Sequence, residues 1–328
     1  MNLFSENAVL IVGPGAIGQL LAVHLHQTGA TIGLLDHRPD RAARIQQIRL
    51  LDGARETVVP VTCEAAPKTV KQYGKLIVCV MAFATKQAAA TLAPHVNPAA
   101  HLLTLQNGLG NGDILNTLPC KHNVRVGITS YGAYLQDETT VCFAGEGIIQ
   151  IAATRSDAVA VQWQQLLQKA GFRVQLENRI NDMLWTKLIL NAALNPVTAL
   201  FGLRNGDLPA HPDAWKISCA ILKESVSVAN ALGIPMDASA LQGKLQNICQ
   251  TTRKNRSSML VDLQAGRKTE VEAINGAIIS AAKQTGQPYQ YNQKIMQQVL
   301  ARHPKGRDTT PPYGIPLSTV CKSSGLAT

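Results

Sequence analysis

Residues 8–36, AVLIVGPGAIGQLLAVHLHQTGATIGLLD, decide the architecture of the first half of the chain. Ala8–Val12 is a short run without a polar residue, as in a strand buried on both faces of a parallel sheet. GPGAIG follows at once and sets Gly13, Gly15 and Gly18 in G-x-G-x-x-G spacing. A helical pattern then runs from about Ala16 to Gln27 and stops near Gly29, and a second apolar strand, Thr31–Leu35, ends on Asp36. Strand, glycine-rich turn, helix, strand and terminal acid are the full context of a dinucleotide-binding turn. Gly13 permits the tight turn, Gly15 lets the backbone approach a pyrophosphate, and Gly18 lets the helix pack closely on the strand. Pro14, Ala16 and Ile17 complete the turn. The helix N-terminus offers free N–H groups and a positive dipole end to the phosphates.

The end of the second strand bears on which dinucleotide binds. An acid at the position of Asp36 ordinarily holds the ribose hydroxyls of NAD(H) and repels a 2′-phosphate. Arg38, Arg41 and Arg44 lie immediately beyond, and arginine is the usual partner of that phosphate. The same arginines also suit a solvated face of the next helix. These residues leave NAD(H) and NADP(H) both open.

The chain has 328 residues, room for two ordinary domains, with 46% hydrophobic and 16% charged residues, the composition of a folded globular protein. Its net charge of +10 favours anionic ligands such as phosphates and carboxylates. Aromatics are only 4% and no basic run is interleaved with them, so nucleic acid is not an expected partner. The seven cysteines (63, 79, 120, 142, 219, 249 and 321) are scattered, with no C-x-x-C or histidine pairing, which argues against a disulfide framework or a metal site. The opening MNLFSEN lacks a basic region and a long apolar core, and no apolar run reaches membrane-spanning length. A cytoplasmic protein is expected, with no membrane partner.

After Asp36 the pattern predicts a helix over about Asp40–Gln47, strands at Val58–Cys63 and Lys75–Val80, a helix at Lys86–Leu92 and a strand at His101–Leu105 followed by Gln106-Asn107-Gly108. Val124–Tyr131 is the next strand, and residues 132–153 read as antiparallel hairpins turning at Gln136-Asp137 and Gly145-Glu146-Gly147. A helix at Asp157–Ala170 and a strand at Phe172–Leu176 follow. Such alternation predicts an α/β domain, a Rossmann-type doubly wound sheet with helices on both faces. From Asn181 onward the period turns helical, with helices at Trp215–Leu232, Ala238–Thr251, Asn255–Gln264 and Glu270–Thr285. The expected division is a dinucleotide-binding domain over 1–178 and an all-helical domain over 179–328, closed by a Pro-, Gly-, Ser- and Thr-rich tail from Arg302.

Two features of the helical half carry chemistry. In NDMLWTKLILNAALNPVTAL, residues 181–200, Lys187, Asn191 and Asn195 stand four apart on one face of an otherwise apolar helix. A buried ammonium is costly and buried amides need partners, so this face points either to water or to a site. Further on, Gly266 interrupts a helix, and Thr269 with Glu272 forms a capping box that predicts a new helix from Thr269. That reading puts Glu270 in a first turn, where the dipole favours a carboxylate. Ser257 and Ser258 alone would be ordinary surface serines.

GPGAIG at 13–18, LQNG at 105–108, K-x-x-x-N-x-x-x-N-P at 187–196 and SSMLVDLQAGRKTEVEAING at 257–276 together resemble the ketopantoate reductases over about residues 8–300. The resemblance implies a Rossmann domain joined to a helical domain of the 6-phosphogluconate dehydrogenase type, with the active site in the cleft between them. It implies reduction of 2-dehydropantoate, a small anionic keto acid, to (R)-pantoate in pantothenate and coenzyme A synthesis. By the same likeness Lys187 is the general acid and Glu270 binds a substrate hydroxyl and orients the site. Asn191, Asn195 and Ser258 hold substrate, and Asn107 stands at the nicotinamide. A homodimer is a further implication. NADP(H) is the coenzyme commonly used by such enzymes, which carry arginine and lysine where this chain has Asp36 and Met81, so NAD(H) is a serious alternative. Rival readings are reduction of another small keto acid and a non-catalytic nucleotide sensor; the sensor predicts loss of the lysine or the acid, and both are present.

Overall fold

The computed structural model describes residues 5–154 and 156–303 and divides into two compact units, Met1–Ile180 and Asn181–Thr328. The Pro-, Gly-, Ser- and Thr-rich tail beyond His303 lies outside the described residues. In the first unit the elements run β1 (Ser5–Val12), α1 (Ala16–His26), β2 (Thr31–Leu35), α2 (Pro39–Arg44), β3 (Gln47–Asp52), β4 (Arg55–Pro60), β5 (Thr62–Glu64) and β6 (Tyr73–Val78). They continue α3 (Thr85–Leu92), β7 (His101–Thr104), α4 (Asn111–Leu115), β8 (Val124–Thr129), β9 (Gly132–Leu135), β10 (Thr140–Gly145), β11 (Ile149–Ala152), α5 (Ala158–Lys169) and β12 (Val174–Glu177).

Among the described residues an eight-stranded sheet has the order β12-β11-β8-β7-β6-β1-β2-β5. The strands from β5 to β8 are mutually parallel, and β11 returns antiparallel to β8. Successive side chains of a strand point to opposite faces. Accordingly Val9 and Ile11 of β1 join one buried cluster with Ile77 and Leu103, while Leu10 and Val12 join another with Leu76, Val78 and Leu102. Each fully buried Val, Leu or Ile contributes roughly 1.5–3 kcal/mol, so covering both faces is what holds this doubly wound sheet together.

A second, four-stranded sheet, β4-β3-β10-β9, packs on α1. It corrects the sequence reading in two places. The helix expected to reach Gln47 stops at Arg44, and residues 47–60 form the β3–β4 hairpin about Gly53 at φ +58°. Ile48 and Leu50 alternate inward there, a period of two rather than of a helix. Of the hairpins expected over 132–153, only β9–β10 forms; β11 crosses to the large sheet between β8 and β12.

The second unit is helical: α6 (Ile180–Phe201), α7 (Pro212–Ala231), α8 (Ala238–Thr251), α9 (Ser258–Gln264), α10 (Val271–Thr285) and α11 (Gln290–Leu300). Helix α6 is buried almost all round from Leu188 to Leu200, with Asn191 half-buried and Asn195 buried on its polar face. Pro196 sits inside it and has no N–H, which removes the helical donor for the carbonyl of Ala192. Asn275 of α10 supplies the replacement, donating Nδ2–H to that oxygen at 3.3 Å and to Asn292 Oδ1 of α11 at 3.0 Å. Ser218 of α7 donates to the next carbonyl, Ala193, at 2.7 Å. No helix of the described residues is long and apolar enough to cross a membrane.

Two helix starts differ from expectation. Helix α9 begins at Ser258, with Ser257 as its cap, rather than at Asn255. Helix α10 begins at Val271 with Glu270 at the capping position, so Thr269 is not the cap of a box with Glu272. Thr269 is fully buried; its hydroxyl pairs with His303 Nε2 at 2.9 Å and accepts from Val271 N–H at 3.4 Å, two residues on rather than three.

Candidate active site

The first set of candidate residues lies at the carboxyl ends of adjacent parallel strands. Gly13, just past β1, takes φ +90°, and its N–H donates to Leu35 O at 2.9 Å. A Cβ there would lie 2.6–2.9 Å from Val80, and one at Gly18 would lie 2.6 Å from the Gly13 carbonyl. Gly15 caps α1 in extended conformation, and a Cβ on it would enter open space. No side chain caps this helix end and no acid stands in its first turn. The open space at Gly15 in front of unclaimed helix N–H groups fits a pyrophosphate. Pro14 is buried, Ala16 and Ile17 half-buried. Past β7, half-buried Asn107 accepts on its backbone oxygen from Asn111 Nδ2 at 2.8 Å, and Gly108 turns the chain at φ +84°. Met81 follows β6 and caps a short 3₁₀ turn.

Asp36, at the end of β2, is 3% exposed and heavily engaged. Arg38 donates to it three times, from its backbone N–H, Nε and Nη2, each at 3.0 Å. Arg41 adds a short bond from Nη1 to Oδ2. Burial alone would raise this carboxyl, but the Arg38 and Arg41 hydrogen bonds together hold it below the usual carboxylate range. The three neighbouring arginines thus part company. Arg44 is exposed and pairs with Glu138 at 2.7 Å. Arg38 keeps 57% of its side chain exposed. Arg41 is buried, with Nη2 donating to Pro14 O at 2.7 Å.

The second set lies in the helical unit. Lys187, Asn191 and Asn195 share α6; Asn195 is buried, the other two half-buried. Burial pushes the Lys187 ammonium down to about 8, the negative charge of Glu270 pulling the other way. Glu270 itself is 8% exposed, at the start of α10. Ser258 is exposed. Its neighbour Ser257, which taken alone reads as a surface serine, is instead buried: it caps α9 through Leu260 N–H, donates to Asn195 O at 3.4 Å and accepts from Thr198 Oγ1 at 2.8 Å. Asp262 of α9 was missed. Burial raises its carboxyl, Arg267 opposes that shift, and Glu270 adds to it. Its spacing four residues after Ser258 was the available signal.

A glycine turn shaped for pyrophosphate at the carboxyl edge of a parallel sheet, in a chain that also holds a lysine of depressed basicity beside a carboxylate, defines a nicotinamide-dinucleotide oxidoreductase. Family models described as Ketopantoate reductase PanE/ApbA and as its C-terminal domain match residues 9–156 and 179–303. A 2-dehydropantoate 2-reductase of Archaeoglobus fulgidus is 32% identical over 280 residues, 85% of this chain and 92% of the relative. The chain belongs to the ketopantoate reductase family. A relative of the same name from Yersinia pestis is 30% identical over 297 residues, 88% of this chain and 92% of its own. Among solved structures, a PanE/ApbA family ketopantoate reductase from Ralstonia eutropha matches with TM-score 0.81 at 26% identity, covering 90% of this chain and 98% of that one. A D-mandelate dehydrogenase, in ternary complex with NADH and anilino(oxo)acetate, shares the fold with TM-score 0.85 at 21% identity, over 90% and 98% of the two chains.

Proposed function

We propose that the chain reduces 2-dehydropantoate to (R)-pantoate, a step of pantothenate and coenzyme A synthesis, with NADPH as preferred coenzyme. The observation that carries the reading is Lys187, half-buried on the polar face of α6 with Asn191 and Asn195, its ammonium brought down to about 8 by burial against the pull of Glu270. A proton donor works best when its pKa lies near the operating pH. When bound, the reduced nicotinamide supplies the hydride to the 2-keto carbon. Lys187 Nζ stabilises the negative charge that develops on the carbonyl oxygen and donates its proton there. Glu270 accepts a hydrogen bond from a substrate hydroxyl and keeps Lys187 protonated. Asn191, Asn195 and Ser258 hold the remaining polar groups of the substrate. In the first unit, Gly13 to Gly18 cradle the pyrophosphate and Asn107 stands at the nicotinamide. A homodimer and a cytoplasmic location belong to the same reading and rest on the family resemblance.

The preference for NADPH is supported by the charge at the adenosine end. Asp36, Arg38 and Arg41 sum to +1, and Arg38, more than half exposed while paired to Asp36, is the arginine this reading assigns to a 2′-phosphate. The acid itself, with Met81 where a lysine is usual in the family, favours NADH as the second reading. Initial rates of NADPH and NADH oxidation with 2-dehydropantoate, run in parallel, test both. Turnover with either coenzyme supports the reaction and the ratio ranks the coenzymes. Coenzyme binding without turnover would move the substrate to a different keto acid.

A further inference from the structure

Two buried donors converge on two backbone carbonyls that lie far apart in sequence. Arg41 Nη2 donates to Pro14 O at 2.7 Å and to Glu138 O at 3.5 Å. Gln19 Nε2 donates to the same pair, Pro14 O at 3.2 Å and Glu138 O at 2.6 Å. Pro14 lies within the glycine-rich turn; Glu138 lies in the loop between β9 and β10 of the second sheet. Arg41 is 5% exposed and Gln19 fully buried, so neither bond is in exchange with bulk water. A peptide unit is planar, so holding the Pro14 oxygen fixes the Pro14–Gly15 plane and with it the N–H of Gly15, the capping residue of α1. The hairpin end is rigid as well. Asp137 Oδ1 accepts from Thr139 N–H at 2.8 Å and Thr140 N–H at 2.7 Å, and Arg49 N–H of β3 donates to Thr139 O at 2.8 Å.

We propose that Arg41 is a positioning residue: with Gln19 it ties the glycine-rich turn to the 136–140 hairpin, so that a loop of the second sheet sets the affinity for both coenzymes. The proposal rests on the dinucleotide-binding reading of the turn and not on the identity of the keto acid. Its logic is geometric. Only a forked guanidinium can serve Asp36 through one nitrogen and the two carbonyls through another; a lysine ammonium keeps the charge but not the fork.

The test measures dissociation constants of NADH and NADPH by fluorescence titration, together with KM and kcat, for the full chain, three single variants and one double variant. Arg41→Met and Arg41→Lys are expected to weaken both coenzymes about tenfold, with kcat at saturation little changed. Asp137→Ala, at an exposed turn, is expected to weaken both about threefold, and combined with Arg41→Met to add less than its single effect. Should Arg41→Met fail to fold, Asp137→Ala still decides. Unchanged affinity in Asp137→Ala would overturn the role of the hairpin. Changes confined to one coenzyme, or full rescue by Arg41→Lys, would overturn the tie and make Arg41 merely the counter-charge of Asp36. A wild-type chain that binds neither coenzyme would instead sink the dinucleotide reading itself.

Discussion

Each unit of this chain contains a basic group withdrawn from water, and the two are treated in opposite ways. Arg41 in the first unit is surrounded: a carboxylate on one nitrogen and backbone carbonyls on another. Lys187 in the helical unit is held by an environment in which burial outweighs the attraction of Glu270, and its pKa falls to about 8. The guanidinium stays charged in any protein environment, whereas an ammonium shifts readily. A charge that must never move is therefore an arginine hydrogen-bonded on both terminal nitrogens, and a charge meant to leave as a proton is a lysine whose burial outweighs its neighbouring carboxylate.

The largest effect that sharpens this contrast is at Lys187. Lys187→Ala is expected to lower kcat by about 10²–10⁴-fold with coenzyme affinity retained; surviving activity would show that another group gives the proton. Next is Asp36→Ala, which strips the buried guanidinium of its counter-charge. It is expected to lower stability by about 3–5 kcal/mol in urea titration near neutral pH. Because Asp36 is held below its ordinary range, its contribution is present above the unfolded pKa and is lost as pH falls through the folded one. The gap between wild type and variant should therefore narrow in acid, and a constant gap would break the assignment.

Of intermediate size is the pH profile. The rate of keto-acid reduction requires the Lys187 ammonium and should decline above about pH 8, while oxidation of the alcohol, which requires the free amine, should rise there. Glu270 holds that pKa up, so Glu270→Gln should move the alkaline limb to lower pH. A limb that stays in place would assign it to another group. Ser257→Ala removes the cap of α9 and should cost about 1 kcal/mol in thermal or urea unfolding. The smallest effect is at His303, whose Nε2 accepts from Thr269 N–H at 3.3 Å beside the Glu270 turn. Burial lowers its pKa, Glu272 opposing and Lys268 adding to the shift, so its contribution is complete above the ordinary histidine pKa and fades as pH falls through the folded value. His303→Gln should match wild type in acid and lag slightly at pH 8 in melting temperature.

What the sequence made legible follows the range of the forces involved. The glycine turn could be read because its constraints are local: a positive φ at Gly13 and a close approach at Gly18 are set within a few residues. The β3–β4 hairpin was written there too, in Asp52-Gly53 between alternating residues, but the arginine-rich run before it also fits a helix. Arg38, Arg41 and Arg44 look equivalent in one dimension; only the folded chain makes one of them buried, one half-free and one a surface partner of Glu138. At Thr269 the local pattern was one residue out: Glu270 takes the capping position, and the Thr269 hydroxyl accepts from Val271 N–H while also meeting His303, 34 residues away. Helix α6 could be read as polar on one face, yet whether that face met water depended on packing that no local pattern encodes, and Asn195 proves to be buried.

Pro196 gives this arrangement a further property. By leaving the Ala192 carbonyl without its helical donor, it makes α6 depend on Asn275, a residue of the helix that Glu270 opens. The lysine and the acid are thus carried on two elements that this amide links. For anyone redesigning this scaffold, position 275 is therefore not a free core site: an apolar group there would leave the Ala192 carbonyl without the donor that stands in for the proline's missing N–H.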